Sequence, residues 1–123
     1  MPFRKGEWEF VLDHFPTAEM QGPETGLVVV ADFLLAPGWS AARTTVTFAV
    51  PPAYPAAQPD CFWTSPDLRL ASGAVPMNTA PQIPPGSAQQ ALWFSWHLPA
   101  WRPAVDTLMT YLRFVGMRFV DAR

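Results

Sequence analysis

One cysteine, two histidines and a serine standing two residues before the second histidine are the side chains of this 123-residue chain best suited to chemistry. Cys61 follows Asp60 and precedes Phe62 and Trp63. A thiol attacks as its thiolate, which a nearby cation favours. Asp60 works against that form, and no Lys or His is close in sequence. Free cysteine also serves as a small core residue. Cys61 reads as such a residue, with the nucleophile as the alternative. Ser95 and His97 are two positions apart, so on a strand they share a face and His97 can reach the Ser95 hydroxyl. The local sequence supplies no acidic residue to orient the imidazole. His97 therefore reads either as a brace, hydrogen-bonded to loop carbonyls, or as a contact for a partner. His14 is expected at the surface, at a helix end. A single cysteine excludes an intrachain disulfide and a multi-cysteine metal centre. The residues call for no metal and no cofactor.

Ser95 and His97 lie within Trp93–Pro103, which packs four aromatics, one histidine and two prolines into eleven residues. Proline fixes its own φ and disfavours helix for the residue before it. A rigid aromatic crossing is expected here, leading into a final helix with Pro103 at its first position. Val105, Leu108, Leu112, Val115 and Phe119 give that helix one apolar stripe. Asp106 lies toward its positive end, and Arg113, Arg118 and Arg123 toward its negative end. Cys61 belongs to Asp60–Ser65, a short strand with Cys61 and Trp63 on one face and Phe62 on the other.

The remaining elements read as follows. Lys5–His14 is a short helix with Trp8, Val11, Leu12 and Phe15 on one side. Thr17–Gln21 is a short strand, Gly22–Gly26 a turn and Leu27–Leu35 a central strand. Ala36–Trp39 closes that strand as a turn. Arg43–Val50 alternates, with Val46, Phe48 and Val50 pointing inward. Prolines break the chain at 51–55. Close spacing with short turns argues for an antiparallel meander. Residues 71–90 show no periodicity and read as a long, mobile loop. The expectation is a single α+β domain over residues 1–123, with a four-stranded meander packed against the C-terminal helix.

Half the residues are hydrophobic and the net charge is -2. This folded domain thus has no electrostatic reason to bind nucleic acid. No stretch approaches the ~18 apolar residues of a membrane span, and no charged leader precedes an apolar segment. A reduced, cytoplasmic setting is expected.

Four segments in order carry a family resemblance. They are Pro51-Pro52-Ala53-Tyr54-Pro55, Pro59-Asp60-Cys61-Phe62-Trp63, Trp93-Phe94-Ser95-Trp96-His97 and Trp101-Arg102-Pro103-Ala104-Val105-Asp106-Thr107-Leu108, the last running into Tyr111-Leu112. A Tyr-Pro turn followed by a strand, a loop and a Trp-x-Pro before a helix resembles the ubiquitin-conjugating enzyme fold. More narrowly, the chain is similar to the bacterial prokaryotic ubiquitin-conjugating-enzyme family E across roughly residues 27–119. The resemblance implies a bacterial ubiquitin-like modification system. Its partners would be a ubiquitin-like modifier protein and the activating enzyme of the same system.

The resemblance also implies a nucleophilic cysteine shortly before the Trp of Trp-x-Pro. Trp93 stands eight residues before Trp101, and neither it nor Phe94, Ser95, Trp96 or His97 carries a thiol. The His-Pro-Asn signature is absent from 70–92. A thioester relay needs a thiolate, because an oxyester on serine is a poorer donor to amines. The expected protein is therefore a binding member of such a system without the usual catalytic cysteine. Trp93, Trp96, His97, Trp101 and Arg102 would form its contact surface, since Trp and Arg anchor interfaces. The alternative is a conjugating enzyme that carries the modifier on Cys61 or on a noncanonical nucleophile such as Ser95, with His97 as base.

Overall fold

Alternation of β-branched and aromatic residues builds a single antiparallel sheet in the computed structural model, which describes residues 3, 5–21 and 26–123. Helix α1 (Glu7–His14) leads into strands β1 (Ala18–Gln21), β2 (Leu27–Leu34), β3 (Arg43–Ala49), β4 (Phe62–Thr64), β5 (Thr79–Gln82) and β6 (Ala91–Phe94), and helix α2 (Leu108–Val120) follows. The six strands run in the order β1-β2-β3-β4-β6-β5. Four were expected. The α+β class and the helix packed on the sheet stand, but the sheet is wider and ends in a crossover.

The extra strands lie where no pattern announced them. β5 falls inside the expected 71–90 loop, and β6 takes the first two residues of the expected aromatic crossing. β5 pairs Ala80 with Trp93 and Pro81 with Leu92. It is an edge strand with a proline in it, a placement that proline tolerates only at sheet edges. Its side chains are half-buried at Thr79 and Ala80 and exposed at Pro81 and Gln82, which leaves no alternation to read. The turn expected over Gly22–Gly26 lies outside the described residues except for Gly26. Gly26 has φ 63°, and a Cβ there would meet the Val50 carbonyl oxygen at 2.7 Å. A bulge interrupts the β2–β3 register between Val30 and Phe33, with Asp32 at φ 57°.

One face of the sheet packs on α2. Val28, Val30, Val46, Phe48, Phe62 and Phe94 meet Leu108, Leu112, Val115 and Phe119, all almost fully buried. Phe62 stacks on Phe94 at 4.9 Å, and Phe119 meets both edge-on. Such pairs add to what area burial alone supplies.

The final helix begins five residues later than its sequence suggested, and Val105 is exposed rather than part of the stripe. Residues 102–106 close a separate turn. The Asp106 carboxylate accepts the Arg102 N–H at 2.7 Å, and the Arg102 carbonyl accepts from Val105 and Asp106. Thr107 then takes an extended conformation, and the Thr110 hydroxyl accepts its N–H at 3.0 Å, one half of a capping box. Buried Glu7 accepts the Leu108 N–H at 2.8 Å and also accepts from the Tyr54 hydroxyl. A carboxylate at a helix N-terminus satisfies both the free donor and the dipole.

Candidate functional site

The antiparallel pairing of β4 with β6 decides what meets at the site. Phe62 faces Phe94, so the residues just before β4 lie beside those just after β6. The Cys61 N–H donates to the Trp96 carbonyl at 3.2 Å, one residue out of the β4–β6 register. Asp60 and Cys61 thereby meet Ser95 and His97 across 34 or more residues of sequence. Phe94 and Trp96 point toward α2, where Trp96 stacks on Phe114 at 4.7 Å and donates its indole N–H to the Phe114 carbonyl. Trp93, Ser95 and His97 alternate with them on the opposite side.

His97 is the hub. Its Nδ1 contacts the Asp60 carboxylate directly, and its Nε2 lies 3.3 Å from the Ser95 hydroxyl. The sequence alone offered no acidic residue to orient this imidazole; the sheet brings one from the other strand. Carboxylate, imidazole and hydroxyl thus stand in line, the order in which a base can draw a proton from a nucleophile. The Asp60 and His97 side chains are 59% and 61% exposed.

Cys61 sits against the same imidazole, its Sγ 4.0 Å from His97 Nδ1 and 3.9 Å from Asp60 Oδ1. Its φ of 61° lies in the left-handed region, which is uncommon outside glycine. Hydrogen bonds hold that conformation. Besides the bond to Trp96, the buried Tyr111 hydroxyl donates to the Cys61 carbonyl at 2.6 Å. The residue is only 6% exposed. Burial pushes the thiol above its ordinary value, a hydrogen bond with the Trp96 backbone pulls it down, and the Asp60 charge raises it again.

Beside the hub lies an open cleft lined by Ala56, Ala57, Gln58, Asp60, His97 and Trp101. The segment leading to it includes a cis bond between Tyr54 and Pro55. Trp101 forms one wall, half-buried, with its indole N–H on the Pro55 carbonyl at 2.8 Å and its ring 6.0 Å from Tyr54. Gln58 donates to the Leu98 carbonyl at 3.0 Å, tying the two sides together. Arg102, next to Trp101 in the chain, is exposed and lies 3.7 Å from Asp106. Of the five residues expected to form the contact surface, His97 and Trp101 line this cleft. Trp96 braces α2, and Trp93 lies on the outer sheet face opposite Trp63. Asp60 and Gln58 were missed as site residues; only the strand pairing shows them.

The model for prokaryotic E2 family E matches residues 6–121. The chain belongs to that family. It is thus a bacterial E2-like protein, and membership implies in general a ubiquitin-conjugating-enzyme-like role alongside a ubiquitin-like modifier and an activating enzyme. No curated protein and no solved structure matches the chain. Among the described residues, no helix is long and apolar enough to cross a membrane. In this E2-like chain the segment from Trp93 to His97 carries Ser95 and no thiol, while its cysteine lies opposite that segment, just before β4 and outside the strand expected over Asp60–Ser65.

Proposed function

We propose that this E2-like protein acts by binding the ubiquitin-like modifier, its activating enzyme, or both, through the Asp60–His97–Trp101 cleft and the neighbouring Arg102. The observation that carries the reading is the contrast at the site. The thiol of Cys61 is covered and burial raises its pKa, while His97, Asp60 and Arg102 are exposed. An open groove with a fixed aromatic wall and polar groups at its mouth suits a flexible peptide tail.

The test pairs binding with adduct formation. Purified protein titrated with modifier and with activating enzyme should bind at least one of them, and His97→Ala or Arg102→Ala should weaken binding by about tenfold. Cys61→Ser should leave binding unchanged. With activating enzyme, modifier and ATP, a nonreducing gel should show no reducible adduct. A reducible adduct that vanishes in Cys61→Ser would make the protein a conjugating enzyme working through that thiol.

The line of Ser95, His97 and Asp60 favours a second reading, acyl transfer through the serine. Its mark is an adduct stable to reductant, cleaved by hydroxylamine and absent in Ser95→Ala.

A further inference from the structure

Cys61 has no use in a cleft that works by contact alone, yet its backbone holds it in an uncommon conformation that keeps Sγ beside His97 and Asp60. We propose that Asp60, Cys61 and His97 form a binding site for a divalent cation of the zinc type. One ligand atom from each of the three lies within 4.8 Å of the others. Around a tetrahedral zinc, with bonds of about 2.0–2.3 Å, neighbouring ligand atoms sit roughly 3.3–3.8 Å apart. The sulfur is 4.0 Å from the His97 nitrogen and 3.9 Å from the Asp60 oxygen, within a few tenths of an ångström of that spacing. Asp60 and His97 touch and must separate to admit an ion. Both side chains are more than half exposed, so this needs only rotation about side-chain bonds.

Three further features fit a metal. Ser95 stands at 3.3 Å from Nε2, where its hydroxyl can accept that N–H and leave Nδ1 as the lone-pair donor. A hydrogen-bond partner on the second ring nitrogen is the usual support of a metal-bound histidine. Cys61 is fixed through both its N–H and its carbonyl, so the sulfur is positioned before an ion arrives. The donor set, one sulfur, one nitrogen and one carboxylate oxygen, suits zinc or cobalt and not magnesium or calcium. Three protein ligands leave a fourth position toward the open cleft, for water or a donor from a partner. Metal and the hydroxyl–imidazole–carboxylate line exclude one another, because both use His97 Nδ1.

The probe is Co²⁺ alone, added to the reduced protein in chelator-free buffer. One equivalent should give a near-ultraviolet thiolate charge-transfer band with intense visible bands of tetrahedral type, and Zn²⁺ should displace it. Cys61→Ser should abolish the charge-transfer band. His97→Ala and Asp60→Ala should each weaken binding by about tenfold or more, and Ser95→Ala by roughly tenfold. Thermal melts of each metal-free variant separate loss of a ligand from loss of the fold. Should Cys61→Ser fail to fold, the ¹¹³Cd resonance of the wild-type protein reads sulfur ligation without any substitution. A shift typical of nitrogen and oxygen ligands alone overturns the site. So does the absence of saturable binding into the millimolar range, or a thiolate band that survives Cys61→Ser.

Discussion

β2 and β3 face one another through six paired positions, whereas β3 and β4 share one, Thr47 with Trp63. The first half of the sheet is a long ladder of alternating valine, threonine and phenylalanine. The second half, β4 to β6, consists of strands of three or four residues held by stacked aromatics against α2. Chemistry-bearing side chains gather at the second half. Short strands end early, and the chain leaving each end can turn polar groups toward one another. A long ladder commits its side chains to two faces and leaves fewer positions for a site.

If aromatic packing carries the second half, Phe94→Ala should have the largest effect, a loss of about 3–5 kcal/mol in denaturant unfolding. Val30→Ala in the long ladder should cost less, about 2 kcal/mol, from two buried methyl groups. Equal losses would break the comparison. Tyr111→Phe comes next. It leaves the Cys61 carbonyl without its hydroxyl donor and should cost about 1–3 kcal/mol. Burial holds the Tyr111 phenol well above its ordinary value, with the Cys61 and Asp60 charges adding to the effect. The folded state therefore binds that proton more tightly than the unfolded chain. Its contribution is complete below about pH 10 and is lost as pH rises further. Tyr111→Phe should accordingly flatten the alkaline end of the stability profile, and an unchanged slope there would refute the assignment.

Thr107→Ala is smaller, about 1 kcal/mol by thermal melt, because Thr107 caps the first turn of α2. No loss would place the helix start elsewhere. Hydrogen exchange gives the finest test. Amides of β5 that bond to β6 should be protected, while those at 72 and 75, in the segment before it, should exchange early. Uniform exchange across 71–90 would return the segment to the loop its composition suggested.

What the sequence told follows the same division. Arg43–Val50 alternates cleanly, and its strand and inward face follow from that period. The Leu108–Phe119 stripe is equally plain. Three-residue strands carry no period, and Thr79–Gln82 holds a proline and no burial alternation, so β5 becomes visible only through its partner. The start of α2 was misplaced because Pro103 is a good first helical residue, while the competing turn depends on Asp106 reaching back to Arg102. At the site, Ser95 and His97 were legible as neighbours on one strand face. Asp60 was not, because its place beside His97 is set by the pairing of Phe62 with Phe94, and no local pattern encodes a pairing.

Pro81 has a consequence for assembly. The outer margin of β5 is where a foreign strand would look for unpaired backbone, and an imide nitrogen has no hydrogen to offer it. A four-residue margin broken in this way is a poor template for strand addition. The other margin, β1, is equally short and carries Glu19, whose charge opposes stacking of identical chains. Both borders of the sheet therefore discourage fibrils and chance pairing between copies.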